Sequence, residues 1–321
     1  MSVYTPINAS ELDTFLTHYS VGTLLQYSGI SAGIENTNYF VDTTKGRYVL
    51  TLFERHDLQE MHYFIDLMAW LAAAGVPTAT PIKQNSGQIL SLLKGKPASL
   101  VSCLKGNTLE NQQTNQQQCA AIGAGLASMH LAGQNFSQSR QPDRGVEWRQ
   151  KMGEQLLQHP NLCPQDQTLL QNELNYQAKF DFSVLPYGAI HADLFRDNAL
   201  FNGDKLSGII DFYYAADDNF VYDLAVTTNA WCSHSDGSLE RKKAQHLFHA
   251  YQHERSLEKL EWISFNCHLR AAALRFWLSR LDSLIFPREG TLTHVKDPNV
   301  FKHVLQNRIN EFHHMNEIFK P

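Results

Sequence analysis

The chain has 321 residues, of which 43% are hydrophobic, and a formal net charge of -5. That length exceeds the usual span of one compact domain, so two lobes enclosing a cleft are expected, with ample apolar material for their cores. The acidic balance, with no Lys/Arg-rich stripe or basic tail, argues against nucleic acid as a partner, and the absence of a long apolar run or an apolar leader argues against a membrane or secreted protein.

Alternating apolar and polar positions predict strands over residues 24–27, 38–42 and 48–53, separated by turn-forming stretches at 28–33 and 44–46. A helix follows over 58–74, with Met61, Ile65, Met68 and Leu71 or Ala72 on one face, the methionines as core filler. The loop between the first two strands carries Gly33, whose lack of a side chain lets the backbone approach phosphate. Asn36, Thr37 and Asn38 in the same loop donate hydrogen bonds or fix the turn. A plain polar hairpin would read the same way, so this loop alone decides nothing.

Strands over 88–93 and 97–104 complete an antiparallel sheet before Lys105-Gly-Asn107 crosses into a second lobe. The Gln/Asn-rich stretch 111–118 is a loop or a helix start. It runs into a helix over 119–131 whose Ala and Gly content permits close packing. Further helices are expected over 147–159, 165–181, 239–254 and 257–286. The chain therefore reads as α+β, with an antiparallel-sheet lobe over 1–104 and a mainly helical lobe over 105–321. Its five cysteines, Cys103, Cys119, Cys163, Cys232 and Cys267, are widely spaced and odd in number, which fits reduced thiols in a cytoplasmic protein and no close metal pair.

The most informative stretch is His191-Ala-Asp-Leu-Phe-Arg-Asp-Asn198, followed by an isolated acid in Ile209-Ile-Asp-Phe212. Asp193, Asn198 and Asp211 stand in the order and spacing of a phosphotransfer loop and its metal-binding aspartate. The chemistry divides among them. Asp193 orients an acceptor hydroxyl and takes its proton, while Asn198 and Asp211 offer the hard oxygen donors that magnesium prefers. Short strands over 199–201 and 206–210, joined by the turn 202–204, form a hairpin that brings Asn198 and Asp211 together across 13 positions. His191 either braces this loop by hydrogen bonding or acts in the chemistry. A nucleotide site follows from phosphoryl transfer, and backbone groups from Val101 to Cys103 are available to read the edge of adenine in ATP.

Several stretches then make the resemblance specific: Gly33-Ile-Glu-Asn-Thr-Asn-Tyr39, Tyr48-Val-Leu-Thr-Leu-Phe-Glu54, Met129-His-Leu-Ala-Gly133, the 191–198 loop, Leu206-Ser-Gly-Ile-Ile-Asp-Phe-Tyr213, Asn229-Ala-Trp-Cys232 and Ala273-Leu-Arg-Phe-Trp-Leu-Ser-Arg280. Over nearly its whole length the sequence resembles homoserine kinases of the aminoglycoside-phosphotransferase-like, choline-kinase-like type. The resemblance implies a bilobed protein-kinase-like fold. It also implies ATP- and Mg2+-dependent phosphorylation of the side-chain hydroxyl of L-homoserine, giving O-phospho-L-homoserine for threonine biosynthesis. Asp193 corresponds to the catalytic base, Asn198 and Asp211 to the metal pair, and the 33–38 loop covers the phosphates. A related kinase acting on choline, an aminoglycoside or another small alcohol is the alternative.

One departure from the wider kinase pattern stands in the third strand, where Thr51 occupies the place of a phosphate-binding lysine. A neutral hydroxyl does not replace an ammonium, and Asn36, Asn38, Arg47 or Arg55 are the candidates to compensate. Homoserine itself carries an ammonium and a carboxylate. Asp217 and Asp218 are candidates for the first, against helix-capping or solvated roles, and Tyr213, Tyr214 and Trp231 for aromatic walls, against core packing. For the carboxylate, Arg275 inside an apolar helix needs a partner, which is either the substrate or a structural acid; Arg270 and Arg144 follow.

Overall fold

The structure is a computed structural model and describes residues 4–30, 36–110, 112–286, 296–311 and Phe319. It divides into two compact units, Met1–Gly106 with Ser207–Ile210, and Asn107–Leu206 with Asp211–Pro321.

The first unit is built on an antiparallel sheet. It begins with helix α1 (Ala9–Leu16), started by a capping box in which Asn8 and Glu11 satisfy each other's backbone N–H groups. The strands β1 (Leu24–Gly29), β2 (Thr37–Thr43) and β3 (Gly46–Leu52) follow, then helix α2 (Leu58–Ala73), capped in the same way by Asp57 and Glu60. Strands β4 (Ser91–Leu93) and β5 (Lys96–Ser102) complete the sheet in the order β1-β2-β3-β5-β4. One face is apolar because alternate residues point the same way. Tyr39, Val41, Leu50, Leu52, Ala98 and Leu100 bury themselves there with Leu12, Phe15 and Leu16 of α1. The other parity carries Asn38, paired opposite Thr51, which in turn lies opposite Ser99.

The second unit is mainly helical. Strand β6 (Asn107–Thr108) precedes helix α3 (Gln116–Gly133), whose N-cap is Asn115, so the Gln/Asn-rich stretch is a helix start. Helices α4 (Val146–Leu157) and α5 (Pro164–Gln177) lead into β7 (Tyr187–Ile190). Strand β8 (Ala199–Asn202) turns at Gly203, with φ 61°, into β9 (Lys205–Ile209), whose Ser207–Ile209 count with the first unit, forming the hairpin expected between Asn198 and Asp211. A 3-10 turn over Phe212–Tyr214 leads to β10 (Ala216–Asn219), which pairs antiparallel with β7. Four helices close the chain: α6 (Phe220–Trp231), α7 (Arg241–Glu254), α8 (Lys259–Ile285) and α9 (Asn299–Asn310).

One sequence expectation shifts and one helix goes unread, each for a physical reason. The strand expected over 88–93 shortens to three residues, because Gln84 and Gln88 close a tight turn just before it. Helix α6 shows no amphipathic period, since all its residues but Ala230 are buried and its Val and Thr content lowers helix propensity. The close packing expected of α3 is real: a Cβ on Gly123 would lie 2.2 Å from the Leu247 carbonyl oxygen of α7. Among the described residues no helix is long and apolar enough to cross a membrane.

Candidate active site

The 191–198 loop follows β7 and is held from below by α6. Ala192 adopts φ 62°, a left-handed conformation that costs an alanine about 1 kcal/mol and so needs an external restraint. Asp223 supplies it. Its Oδ2 accepts the His191 N–H at 2.7 Å and its Oδ1 the Ala192 N–H at 2.8 Å. Neither His191 nor Asp223 is exposed at all.

Asp223 is the end of a buried relay. His130 of α3 lies 3.1 Å from its Oδ2 through Nε2, and Tyr251 of α7 lies 2.8 Å from His130 Nδ1. Arg255 donates to the Tyr251 hydroxyl at 3.2 Å and pairs with buried Glu261. Burial lowers the His130 pKa, so the ring is neutral, donating from Nε2 and accepting the tyrosine proton at Nδ1. Burial by itself pushes the Asp223 carboxyl up, but the hydrogen bonds it accepts from His130 and from the His191 N–H hold the group below its ordinary value. Every donor in the relay therefore points at an acceptor.

Other contacts fix the loop's remaining turns. His191 braces it, with Nδ1 accepting the Asp193 N–H at 3.3 Å and the ring lying 4.8 Å from that of Phe212. Trp231 donates from Nε1 to the Leu194 carbonyl at 3.0 Å. Its side chain is 2% exposed and packs on Phe201, so the structure places it under the loop as a support and not as a wall for substrate.

Asp193 is partly exposed and both its oxygens are engaged. Arg275 Nη1 lies 3.1 Å from Oδ1, and Asn198 Nδ2 lies 3.3 Å from Oδ2 and 2.8 Å from the Asp193 carbonyl oxygen. Burial raises the Asp193 pKa, against the pull of the Arg275 charge. With its amide nitrogen turned inward, Asn198 has Oδ1 as its remaining donor atom. Asp211, exposed and at φ 66°, immediately precedes the buried Phe212 whose ring rests on His191. Two oxygen donors of this kind suit Mg2+, which keeps several waters and needs few protein ligands.

Beside the loop is a narrow pocket lined by Ile190, Ala192, Arg144, Tyr214, Asp218, Tyr222 and Arg275, among others. Arg275 is 4% exposed, with its guanidinium over Phe276 at 3.8 Å and Tyr214 at 5.3 Å. Asp218 has its carboxyl pushed up by burial, opposed by the charge of Arg149. Asp217 points elsewhere: it accepts the Arg140 N–H at 3.0 Å and pins that loop to β10. Tyr213 lies half-buried in the 3-10 turn and does not line this pocket. Arg270 is taken by buried Glu173, at 3.1 Å from Nε, and stacks on Tyr176.

In the first unit, Gly33 lies outside the described residues. Thr37 is fully buried, accepting the Tyr4 and Thr5 N–H groups and donating to Glu54, so its hydroxyl ties the chain start to the sheet. Asn36 Oδ1 accepts the Glu54 N–H at 3.3 Å, and Thr51 donates to Asn38 Oδ1 at 2.7 Å. Arg47 pairs with Asp42 and lies over Phe40. The backbone around Val101 is part of the sheet: Val101 is paired opposite Val49, Ser102 donates to the Thr80 carbonyl at 2.9 Å, and Cys103 donates to that of Arg47 at 3.3 Å. Of the backbone groups from Val101 to Cys103 expected to read adenine, the Ser102 and Cys103 N–H groups are thus engaged by other carbonyls of the first unit.

Asp223, His130 and Tyr251 went unread in the sequence. The signal was present as a lone acid inside Phe220-Val-Tyr-Asp-Leu-Ala-Val226 and a lone imidazole inside Met129-His-Leu131, each a polar group in an apolar run that must find a partner.

Residues 26–261 match the family model described as the phosphotransferase enzyme family. The chain belongs to this family. The phosphotransferase is 46% identical over 309 residues to a homoserine kinase of Methylobacillus flagellatus, covering 96% of each chain. It is 41% identical over 305 residues to a homoserine kinase of Neisseria meningitidis serogroup B, covering 95% of this chain and 99% of that one. These relatives group it with the homoserine kinases of the family, and phosphoryl transfer to a small-molecule alcohol is its activity class. Among solved structures, a microcompartment-associated aminopropanol kinase superposes with TM-score 0.70 at 16% identity, covering 98% and 99% of the two chains. A spectinomycin phosphotransferase in complex with ADP and spectinomycin gives TM-score 0.67 at 15% identity over 98% and 100%. Both share the bilobed kinase-like fold, a sheet lobe followed by a helical lobe.

Proposed function

We propose that this phosphotransferase moves the γ-phosphoryl group of ATP to the side-chain hydroxyl of L-homoserine, giving O-phospho-L-homoserine. The observation that carries the reading is the composition of the pocket beside Asp193, where two guanidinium groups, Arg275 and Arg144, and two carboxyls, Asp218 and Asp143, line the same small space, with Asp143 already paired to Arg140. A zwitterionic amino acid complements that set, because its carboxylate meets arginine and its ammonium meets aspartate. An ammonium there also restores the charge that burial discourages on Asp218. Choline and polyamines lack a carboxylate and would leave the buried Arg275 and the half-buried Arg144 facing a cation. The homoserine kinases that align over 96% of the chain support the same substrate, and the neighbour holding ADP supports a nucleotide as donor.

Asp193 accepts the hydroxyl proton as oxygen attacks the γ-phosphorus, and the Asp223 relay holds that carboxylate's loop in place. Asn198 and Asp211 would hold magnesium, which neutralises polyphosphate charge when bound. We assign nucleotide binding to the 1–104 segment and acceptor binding to 105–321.

An ADP-release assay with product mass measurement, run on L-homoserine, L-serine, choline and an aminoglycoside, tests the reading. Phosphorylated homoserine as the main product is expected. Preference for choline or the aminoglycoside would overturn it.

A further inference from the structure

The base and the acceptor pocket share one residue. Arg275 lines the pocket and at the same time holds Asp193 Oδ1 at 3.1 Å, while Asn198 occupies Oδ2 at 3.3 Å. In this arrangement each carboxylate oxygen of Asp193 already accepts one hydrogen bond, and the guanidinium on Oδ1 competes with an entering hydroxyl for the remaining acceptor sites. Arg275 is 4% exposed and wedged over Phe276 and Tyr214, so it cannot simply swing into water when it leaves its partner. Losing Asp193 would leave a buried cation without an anion, which is strongly unfavourable unless another anion replaces it.

We propose that the Asp193–Arg275 ion pair is a latch opened by the acceptor's own carboxylate, which takes Arg275 over and frees Asp193 as the base. This rests on the assignment of an amino-acid acceptor above and adds a specificity mechanism to it. The carboxylate is an isoelectronic replacement for the Asp193 side chain at a planar, fork-shaped donor, so the exchange conserves charge and hydrogen bonding. Arg144, on the same pocket wall and 3.9 Å from Asp282, adds a second guanidinium that an entering carboxylate meets. An alcohol without a carboxylate binds but leaves the latch shut. Selection for amino acids over amino alcohols then appears in turnover, beyond what binding alone provides.

The closest carboxylate-free analogue of homoserine is 3-aminopropan-1-ol, and the intact wild-type chain gives the first test. Formate added in trans, at tens of millimolar on the usual scale of weak anion sites, should occupy Arg275 and raise kcat for 3-aminopropan-1-ol by about tenfold, while inhibiting homoserine turnover by competition. No stimulation of the amino alcohol by formate overturns the latch. The second test is Arg275→Met, with Arg275→Gln as a more soluble alternative, each checked for folding by its denaturation midpoint. Turnover of L-homoserine should fall about a hundredfold in kcat/KM while kcat for 3-aminopropan-1-ol rises above the wild-type value. Equal loss on both acceptors overturns the latch and makes Arg275 a positioning residue for Asp193. A wild-type chain that does not phosphorylate L-homoserine at all instead overturns the acceptor assignment, which separates the two failures.

Discussion

Replacing Asp223 by Asn tests whether the buried acid beneath the loop is what holds the base in place. The two side chains have nearly the same shape, but one acceptor oxygen becomes an NH2 donor. Both oxygens are in use, Oδ1 on the Ala192 N–H and Oδ2 on the His191 N–H and His130. Whichever way the amide turns, one backbone N–H faces a donor. The substitution removes one of the two charge-assisted backbone bonds, worth about 1.5–3 kcal/mol, and weakens the other backbone bond to a neutral one, for a total near 3 kcal/mol. Ala192 at φ 62° then loses the restraint that offsets its strain, and the loop relaxes. If most of that free energy is expressed as displacement of Asp193, kcat falls about a hundredfold. Steady-state ADP release with L-homoserine, together with urea denaturation, measures both sides of the division. Expected are a large loss in kcat, a nucleotide KM within about threefold of wild type, and a modestly lower midpoint. A kcat within about twofold of wild type at an unchanged midpoint would refute the reasoning.

Three further outcomes are expected. Arg270→Met strands buried Glu173 and should cost about 3–5 kcal/mol in chemical denaturation, with much of it recovered by also changing Glu173 to Met and with homoserine KM unaffected. Gly123→Ala should lower stability by about 2 kcal/mol, because the 2.2 Å approach to the Leu247 carbonyl outweighs the better helix propensity of alanine; a more stable variant would mean that propensity wins. His268, buried beside Tyr222, has its pKa pushed down to about 4 by burial, so the unfolded chain binds the proton first as pH falls from 6.5. Its contribution is present above pH 6.5 and is lost on the way down to about 4, amounting to about 2 kcal/mol between pH 7 and pH 5. Denaturation midpoints at those two pH values should lie closer together in His268→Gln than in wild type, and parallel curves would count against the assignment.

Local order was enough for the loop and its hairpin. Asp193, Asn198 and Asp211 are separated by few residues, and the turn at Gly203 is written in Asn202-Gly-Asp204. The antiparallel sheet of the first unit was equally readable, since alternation sorts Leu50 and Leu52 to one face and Thr51 to the other. Helix α6 was not, because a helix buried on all sides has no polar face to set a period.

What the sequence by itself determined is the phosphotransferase class and the two-part architecture, for both are written in residues close in the chain. Only the tertiary structure decided which distant groups serve the centre. Asp223 and Trp231 support the loop from α6, Asp218 turns into the pocket while its neighbour Asp217 turns away, and Arg270 is consumed by Glu173. Arg275 reaches Asp193 across 82 positions. The physical reason is common to all of them: a buried polar group announces that it needs a partner, but the identity of that partner is set by packing between elements that no local pattern encodes.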